Sequence, residues 1–186
     1  MTIWELRFAA VDDHAGIVSL RDEDMLADRF RPDGVPKMWV DRPLVGFFDS
    51  TRPKKPRPPA DVSAFVPGAL VLNERAKDVL GPFLSKFGQL LELECEVGVE
   101  IRYFYNVTNL VRCVDVSRSD KNEVGRIVAE AFDTSGVPRD AAVFKDPATA
   151  LTRIYVNDAA KEVLDRLIAS SGLTGIEIGA PDDDAI

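Results

Sequence analysis

Three short stretches of the chain alternate apolar and polar side chains, which is the period of a half-buried β-strand. They are IWELRF at residues 3–8, LLELECE at residues 90–96 and GIEIG at residues 175–179. Residues 101–108 are rich in aromatic and β-branched side chains and predict a further strand, which can return beside residues 90–96 as a hairpin. Residues 124–132 fit a strand, although their pattern is also compatible with a helix.

One phrase of the sequence occurs twice. LVLNERAKDVL begins at Leu70 and IYVNDAAKEVL begins at Ile154, so that Asn73 of the first copy matches Asn157 of the second. In both copies a β-type run ends at this asparagine, whose side chain is a good helix N-cap. An acidic residue follows, where the helix dipole favours negative charge, and apolar residues then recur at helical spacing. Each copy therefore predicts a strand, a capped helix and a second strand.

The two predicted helices have different ends. Gly172 ends the second helix, because glycine readily adopts the left-handed conformation found after helices, and Gly88 is the matching candidate in the first copy. Pro82 lies inside the first helix and lacks a backbone donor, so we expect a kink there. The sequence thus predicts an α+β fold: a mainly antiparallel sheet with at least two packed helices, in two similar strand–helix–strand units.

The N-terminal third is less regular. Residues 37–48 contain many β-favouring side chains, but Pro43 indicates an edge strand or an extended loop. Residues 51–60, TRPKKPRPPA, predict a solvated, polyproline-like connector. We divide the chain into a strand and loop region at residues 1–60 and an α+β core at residues 61–186, which together form one compact domain.

Composition limits the kinds of partner. The formal net charge is −8, which disfavours nucleic-acid binding and suits a basic partner. The sequence contains no run of eighteen apolar residues, so it predicts no membrane-spanning helix. The N-terminal residues do not have the pattern of a secretory signal. Cys95 and Cys113 have neither metal-binding nor redox spacing, so we expect a protein of the reducing cytoplasm.

No catalytic constellation stands out. His14 is the only histidine, which excludes a metal cluster built on several histidines, and a metal site at Asp12, Asp13 and His14 has less support than an exposed turn. The chain contains no GxSxG, P-loop or GxGxxG motif, and a glycosidase-type carboxylate pair needs distances to be recognised. The sequence therefore predicts no catalytic residue, no cofactor and no metal.

A strand at residues 90–96 places three glutamates, Glu92, Glu94 and Glu96, on one face of its sheet, with the apolar residues between them on the other. This acidic stripe has two interpretations. It is either a surface that meets lysine and arginine on a partner protein or an ordinary solvated strand face.

The order of these pieces resembles a known family. LVLNERAKDVL, YFYNVTNLVRCVDVSRS, IYVNDAAKEVLDRL and GLTGIEI follow one another within residues 69–178, and this stretch resembles the immunity-protein eleven family of bacterial polymorphic toxin systems. The resemblance implies a protein without a cofactor that binds and neutralises a cognate toxin domain, for example a basic nuclease. Glu92, Glu94 and Glu96 are then the candidate toxin-binding residues.

Two other functions remain open at this point. One is a small hydrolase with a site made only of carboxylates, which a cleft with converging carboxylates of perturbed pKa would favour. The other is an adaptor or scaffold that uses residues 51–60 as its ligand segment.

Overall fold

The computed structural model describes residues 1–9, 13–48, 57–96 and 101–181. Most of the proline- and lysine-rich segment at residues 51–60, together with Asp12, lies outside these ranges.

Twelve strands, three α-helices and one 3₁₀ turn form in the described residues. The helices are α1 (Asp22–Leu26), α2 (Glu74–Leu84) and α3 (Asp158–Ser171), and the 3₁₀ turn is Thr134–Gly136. The strands are β1 (Ile3–Phe8), β2 (Gly16–Ser19), β3 (Leu44–Phe48), β4 (Val62–Ser63), β5 (Leu70–Leu72), β6 (Gly88–Cys95), β7 (Arg102–Val107), β8 (Asp120–Lys121), β9 (Ile127–Ala129), β10 (Val143–Phe144), β11 (Tyr155–Asn157) and β12 (Ile176–Gly179).

Two sheets carry the fold. One has six strands in the order β2-β3-β6-β7-β5-β4, and the other has four in the order β10-β11-β1-β12, while β8 and β9 form a separate hairpin. Every pairing between these named strands is antiparallel except that of β3 with β6. The predicted α+β fold with a mainly antiparallel sheet is therefore confirmed.

The repeated phrase corresponds to a repeated four-stranded unit. The first unit has the strand order β4-β5-β7-β6 with α2 between β5 and β6, and the second has the order β10-β11-β1-β12 with α3 between β11 and β12. In both, the strands before and after the helix flank a third strand that is antiparallel to each. In the first unit this third strand is β7, which comes after β6 in the chain. In the second unit it is β1, which comes from the N-terminus.

The helix caps agree with the repeat. The Asn73 and Asn157 side chains each accept a hydrogen bond from the backbone N–H three residues later, at 2.8 and 2.9 Å. Gly172 ends α3 in the left-handed conformation, with φ 63°, as predicted. The expectation for Gly88 was wrong, because α2 already ends at Leu84 and Gly88 is the first residue of β6.

A pair of lysines shows how far the two units correspond. Lys77 on α2 lies with its Nζ 5.4 Å from the centre of the Tyr103 ring, on the middle strand β7. Lys161, its counterpart on α3, lies 5.0 Å from the centre of the Trp4 ring, on the middle strand β1. Each helix is thus fixed to its middle strand by the same kind of cation–π contact.

Hydrophobic clusters lie on both sides of each sheet. The largest joins the two sheets to α2 and α3, and the other two lie on the opposite face of each sheet. The six-stranded sheet curls so far that its edges meet, since the Ile17 N–H donates to the Ala64 carbonyl at 2.8 Å and the Ala15 N–H to the Pro58 carbonyl at 3.1 Å. The interior of this curl is aromatic, with Phe30 and Phe104 buried at its centre.

The prediction of an edge strand or extended loop around Pro43 was wrong for the strand that follows it. Pro43 directly precedes β3, which pairs with β2 on one side and β6 on the other. Because the proline stands outside the paired residues and its carbonyl accepts a hydrogen bond from the Glu94 N–H at 3.0 Å, it removes no donor from the ladder.

None of the helices in the described part of the chain has the length and apolar character needed to cross a membrane.

Candidate partner-binding face

Residues 37–48 run along the outer side of β6. The Lys37 backbone N–H donates to Gln89 Oε1 at 2.7 Å, and the Lys37 carbonyl accepts from Gln89 Nε2 at 2.9 Å. Six residues later the Pro43 carbonyl accepts from the Glu94 N–H, and the parallel pairing of β3 follows. The segment therefore covers the edge of β6 along most of its length.

Alternate side chains of this segment point in opposite directions. Trp39, Val45 and Phe47 pack inside the curled sheet. Met38 and Val40, beside Trp39, are 91% and 97% exposed. Single exposed apolar residues are common on protein surfaces, so these two indicate a binding surface only if other exposed apolar residues lie beside them.

The exposed apolar row continues onto β3 and β2. Phe48 is 54% exposed and Leu44 is half-buried. Leu20, which is 40% exposed, lies on the same face, since its side chain lies 3.1 Å from where a Cβ on Gly46 would stand. A Cβ at residue 46 would therefore require a small shift of the Leu20 side chain.

The three candidate glutamates lie beside this row. Glu94 and Glu96 are exposed and Glu92 is partly exposed, whereas Leu93 and Cys95 between them are buried. The alternation predicted for this strand is confirmed. Their toxin-binding role stays a prediction.

The glutamates differ in their partners. Arg42 forms an ion pair with Glu92, so this end of the stripe is neutralised. In the part of the chain that the structure describes, no ion pair or side-chain hydrogen bond involves Glu94 or Glu96. Within the described residues, two of the three carboxylates therefore have no counterion.

We call this surface the open face. Its members are Leu20, Met38, Val40, Leu44, Phe48, Glu94 and Glu96. α2 packs on the same side of the sheet, at the start of β6, where the Leu90 side chain lies 3.2 Å from the Cβ position of Gly81.

Sequence reasoning identified the acidic row but missed the apolar one. The signal was present, since residues 38–48 place apolar side chains on both faces of an extended segment, with Met38 and Val40 on one face and Trp39 and Val45 on the other. A strand with two apolar faces is normally buried on both. Here one of the two faces is exposed.

A second group of charged residues lies on the four-stranded sheet. Arg153 donates from Nη1 to Glu5 at 2.9 Å and from Nε to Glu130 at 3.0 Å. Arg7 also contacts Glu5, at 3.5 Å, and extends the chain of ion pairs to the exposed Glu177. The result is a row of alternating charges that leads from the surface into the protein.

The electrostatics of this row are those of a buried ion pair. Burial raises the pKa of Glu5, although Arg153 and Arg7 act to lower it. Burial opposes the charge of Arg153, but Glu5 and Glu130 together raise its pKa. Glu130 keeps one buried oxygen, Oε2, without a hydrogen-bond partner in the described residues.

Among the described residues, Glu5 and Glu130 come nearest to the carboxylate-only site that the hydrolase alternative requires. They converge, as that alternative requires, but they converge on Arg153, which engages both Glu5 and Glu130. The neighbouring Cys113 is a poor nucleophile, because burial first and the nearby Asp146 second raise the pKa of its thiol to about 12. The arrangement joins β1 to the segments around β9 and β11 and shows no poised acid–base pair.

A shallow cleft of about 170 Å³ opens elsewhere, between the loop after α1 and the turn before β5. Its lining includes Met25, Pro32 and Leu151. Behind it Lys145 is fully buried, with Nζ donating to the carbonyls of Pro32 at 2.8 Å, Gly68 at 2.6 Å and Ala150. This lysine fastens three loops to one another.

The described residues contain no group of three histidine, cysteine or carboxylate side chains placed to hold a metal ion. Of the residues weighed as a loose metal site, Asp13 is exposed, His14 is half-buried and Asp12 lies outside the described ranges.

Comparison with known proteins adds no family to this description. No family model matches the chain, and no curated protein matches it.

Proposed function

We propose that this protein is an immunity protein, which binds a cognate bacterial toxin domain and neutralises it by covering or locking its active region. The observation that supports this proposal is the open face, where an exposed apolar row lies beside carboxylates that have no partner among the described residues. The resemblance to the immunity-protein eleven family points to the same function.

The open face has the composition expected of a protein interface. Apolar and aromatic anchors such as Phe48 and Met38 provide most of the affinity of an interface when a partner covers them. Unpaired carboxylates at the rim, here Glu94 and Glu96, raise the association rate with a basic partner and select it. The formal net charge of −8 acts in the same direction over longer distances.

We place this inhibitor in the cytoplasm of the bacterium that it protects. Cys95 and Cys113 are buried and unlinked, which suits a reducing compartment. A nuclease is the toxin class that best fits an acidic inhibitor, because nucleases present basic surfaces to their substrates.

Co-expression with the product of the adjacent gene tests the proposal. We expect the protein to rescue growth from a toxic neighbour and to co-purify with it. Failure to rescue and to co-purify would contradict the immunity function, as would catalytic turnover by the purified protein alone.

A pair of charge-reversed variants tests the role of the open face. E94K/E96K should slow association with the toxin about tenfold at low salt, with a smaller effect on dissociation. E123K/E162K, at two exposed glutamates on other surfaces, changes the net charge equally and should leave the association rate within about twofold. Equal slowing by both variants would assign the effect to net charge and would remove Glu94 and Glu96 from the interface.

A further inference from the structure

The helices cover only part of the outer side of the six-stranded sheet. α2 packs over β5, β7 and the start of β6, with Leu80, Leu84, Tyr103 and Tyr105 in one cluster. Among the described residues, neither α2 nor α3 packs on β3 or β2, which continue the sheet beyond the end of β6, and β2 contacts the short helix α1 that follows it. Neighbouring strands lie about 4.8 Å apart, so these three strands form a strip about 10 Å wide. An α-helix with its side chains is also about 10 Å across.

The chemistry of this strip runs in two rows. The apolar row, from Met38 to Phe48 with Leu20 beside it, follows the segment along β6 and is interrupted by the exposed Arg42, which pairs with Glu92. The acidic row of Glu94 and Glu96 follows β6 itself. An amphipathic helix that lies along the strands presents one apolar stripe and one flanking polar stripe to such a surface. The flanking stripe must be basic, because two carboxylates there have no counterion in the described part of the protein.

A partner strand is a weaker fit than a helix. The outer edge of β2, where a strand would have to add, already uses its Ile17 N–H on the Ala64 carbonyl and its neighbouring Ala15 N–H on the Pro58 carbonyl. The edge of β3 is occupied by β2. The exposed surface is therefore a sheet face, and helices are the elements that pack on sheet faces in this protein.

We infer that the open face receives a basic amphipathic α-helix of the partner protein, packed beside α2 with its apolar stripe on Leu20, Leu44 and Phe48 and its lysine or arginine side chains at Glu94 and Glu96. This inference rests on the proposed function, since it names the element of the toxin that the inhibitor grips.

A model peptide provides the direct test. The probe is a labelled eighteen-residue peptide with leucines at i, i+3, i+4 and i+7 and lysines on both flanks, and its matched control carries glutamates in place of the lysines. We expect the lysine peptide to bind the full-length protein with a gain in helical circular dichroism, and the glutamate peptide to bind at least tenfold more weakly. Equal binding of the two peptides would overturn the inference.

Substitutions in this protein test whether the lysine peptide binds at the open face. F48S and E94K/E96K should each weaken the lysine peptide about tenfold, as expected for an anchor and for a charge pair at an interface. V124S removes an apolar side chain that is 80% exposed elsewhere, and E123K/E162K is the charge control. Both should leave binding within about twofold, and a loss as large as that of F48S would overturn the inference.

The outcome separates the two proposals. If the toxin is neutralised and loses affinity in F48S while no helical peptide binds, the helix inference fails and the immunity function stands. If the protein neutralises no toxin but the peptide binds at the open face, the immunity function fails and the helix-binding surface stands.

Discussion

Replacing Lys145 by methionine tests how the loops around the cleft are held together. The lysine is fully buried and donates to three backbone carbonyls from three separate loops, at Pro32, Gly68 and Ala150. Methionine has a similar length but no donor. At pH 8.5 the amine form of Lys145 has two N–H donors, so methionine leaves two buried carbonyls without a donor at about 1–3 kcal/mol each, and K145M should be the less stable protein.

The pH dependence of this difference follows from the direction of the pKa shift. Burial lowers the pKa of Lys145 to about 7, from 10.5 in the unfolded chain, and Asp33 is the charged neighbour that opposes the shift. Between these values the folded protein binds fewer protons than the unfolded chain, so stability rises with pH. Integration from half-deprotonation at pH 7 to near completion at pH 8.5 gives roughly 1–2 kcal/mol.

Urea unfolding at pH 7.0 and 8.5, followed by tryptophan fluorescence, measures the effect. The free energy of unfolding of the wild type should gain roughly 1–2 kcal/mol relative to K145M over this interval. The range stays below the value of 9.0 at which the Cys113 thiol ionises in the unfolded chain. K86M, at an exposed lysine, should keep the slope of the wild type. Parallel behaviour of wild type and K145M would show that the three carbonyls hold the ammonium form and would contradict the lowered pKa of Lys145.

Two further substitutions test the framework of the fold. G175A should destabilise the protein by roughly 3 kcal/mol or more, because Gly175 has φ 78° and a Cβ there would lie 2.0 Å from the Val62 carbonyl oxygen. The control G125A, at φ 79° with nothing within 4 Å of the added Cβ, should cost only about 1 kcal/mol. Thermal unfolding compares the two variants, and equal costs would mean that the close contact at Gly175 relaxes freely. R153M removes the cation that Glu5 and Glu130 share, leaves Glu5 with the longer contact to Arg7, and should cost about 3–5 kcal/mol at pH 7. Because burial already raises the pKa of Glu5, part of this loss should be recovered near pH 5, and a loss that grows on acidification would contradict this account of the ion row.

The sequence predicted the repeated units well because their signals are local. A capping asparagine acts on the next turn of its own helix, and helical spacing follows from the side chains of one segment. Neither signal reports how the units assemble. The use of β1 as the middle strand of the second unit depends on contacts between residues more than 150 positions apart, such as the pairing of Ile3 with Asn157.

The candidate site was predicted in part for a similar reason. The alternation around Glu92, Glu94 and Glu96 is a property of one strand and was visible in the sequence. The apolar row was not recognised, because Pro43 favoured an irregular segment and because the exposure of Met38 and Val40 depends on which distant segments pack against them. The ion row from Glu177 to Glu130 joins distant segments and has no local signature.

The central claim is that the open face is the surface through which this protein acts. Hydrogen exchange of the complex with the product of the adjacent gene, read by mass spectrometry, tests it most directly. We predict slower exchange on binding in peptides that cover residues 38–48 and 92–96, with no change around Val124. Protection confined to other segments, with residues 38–48 exchanging as in the free protein, would contradict the claim.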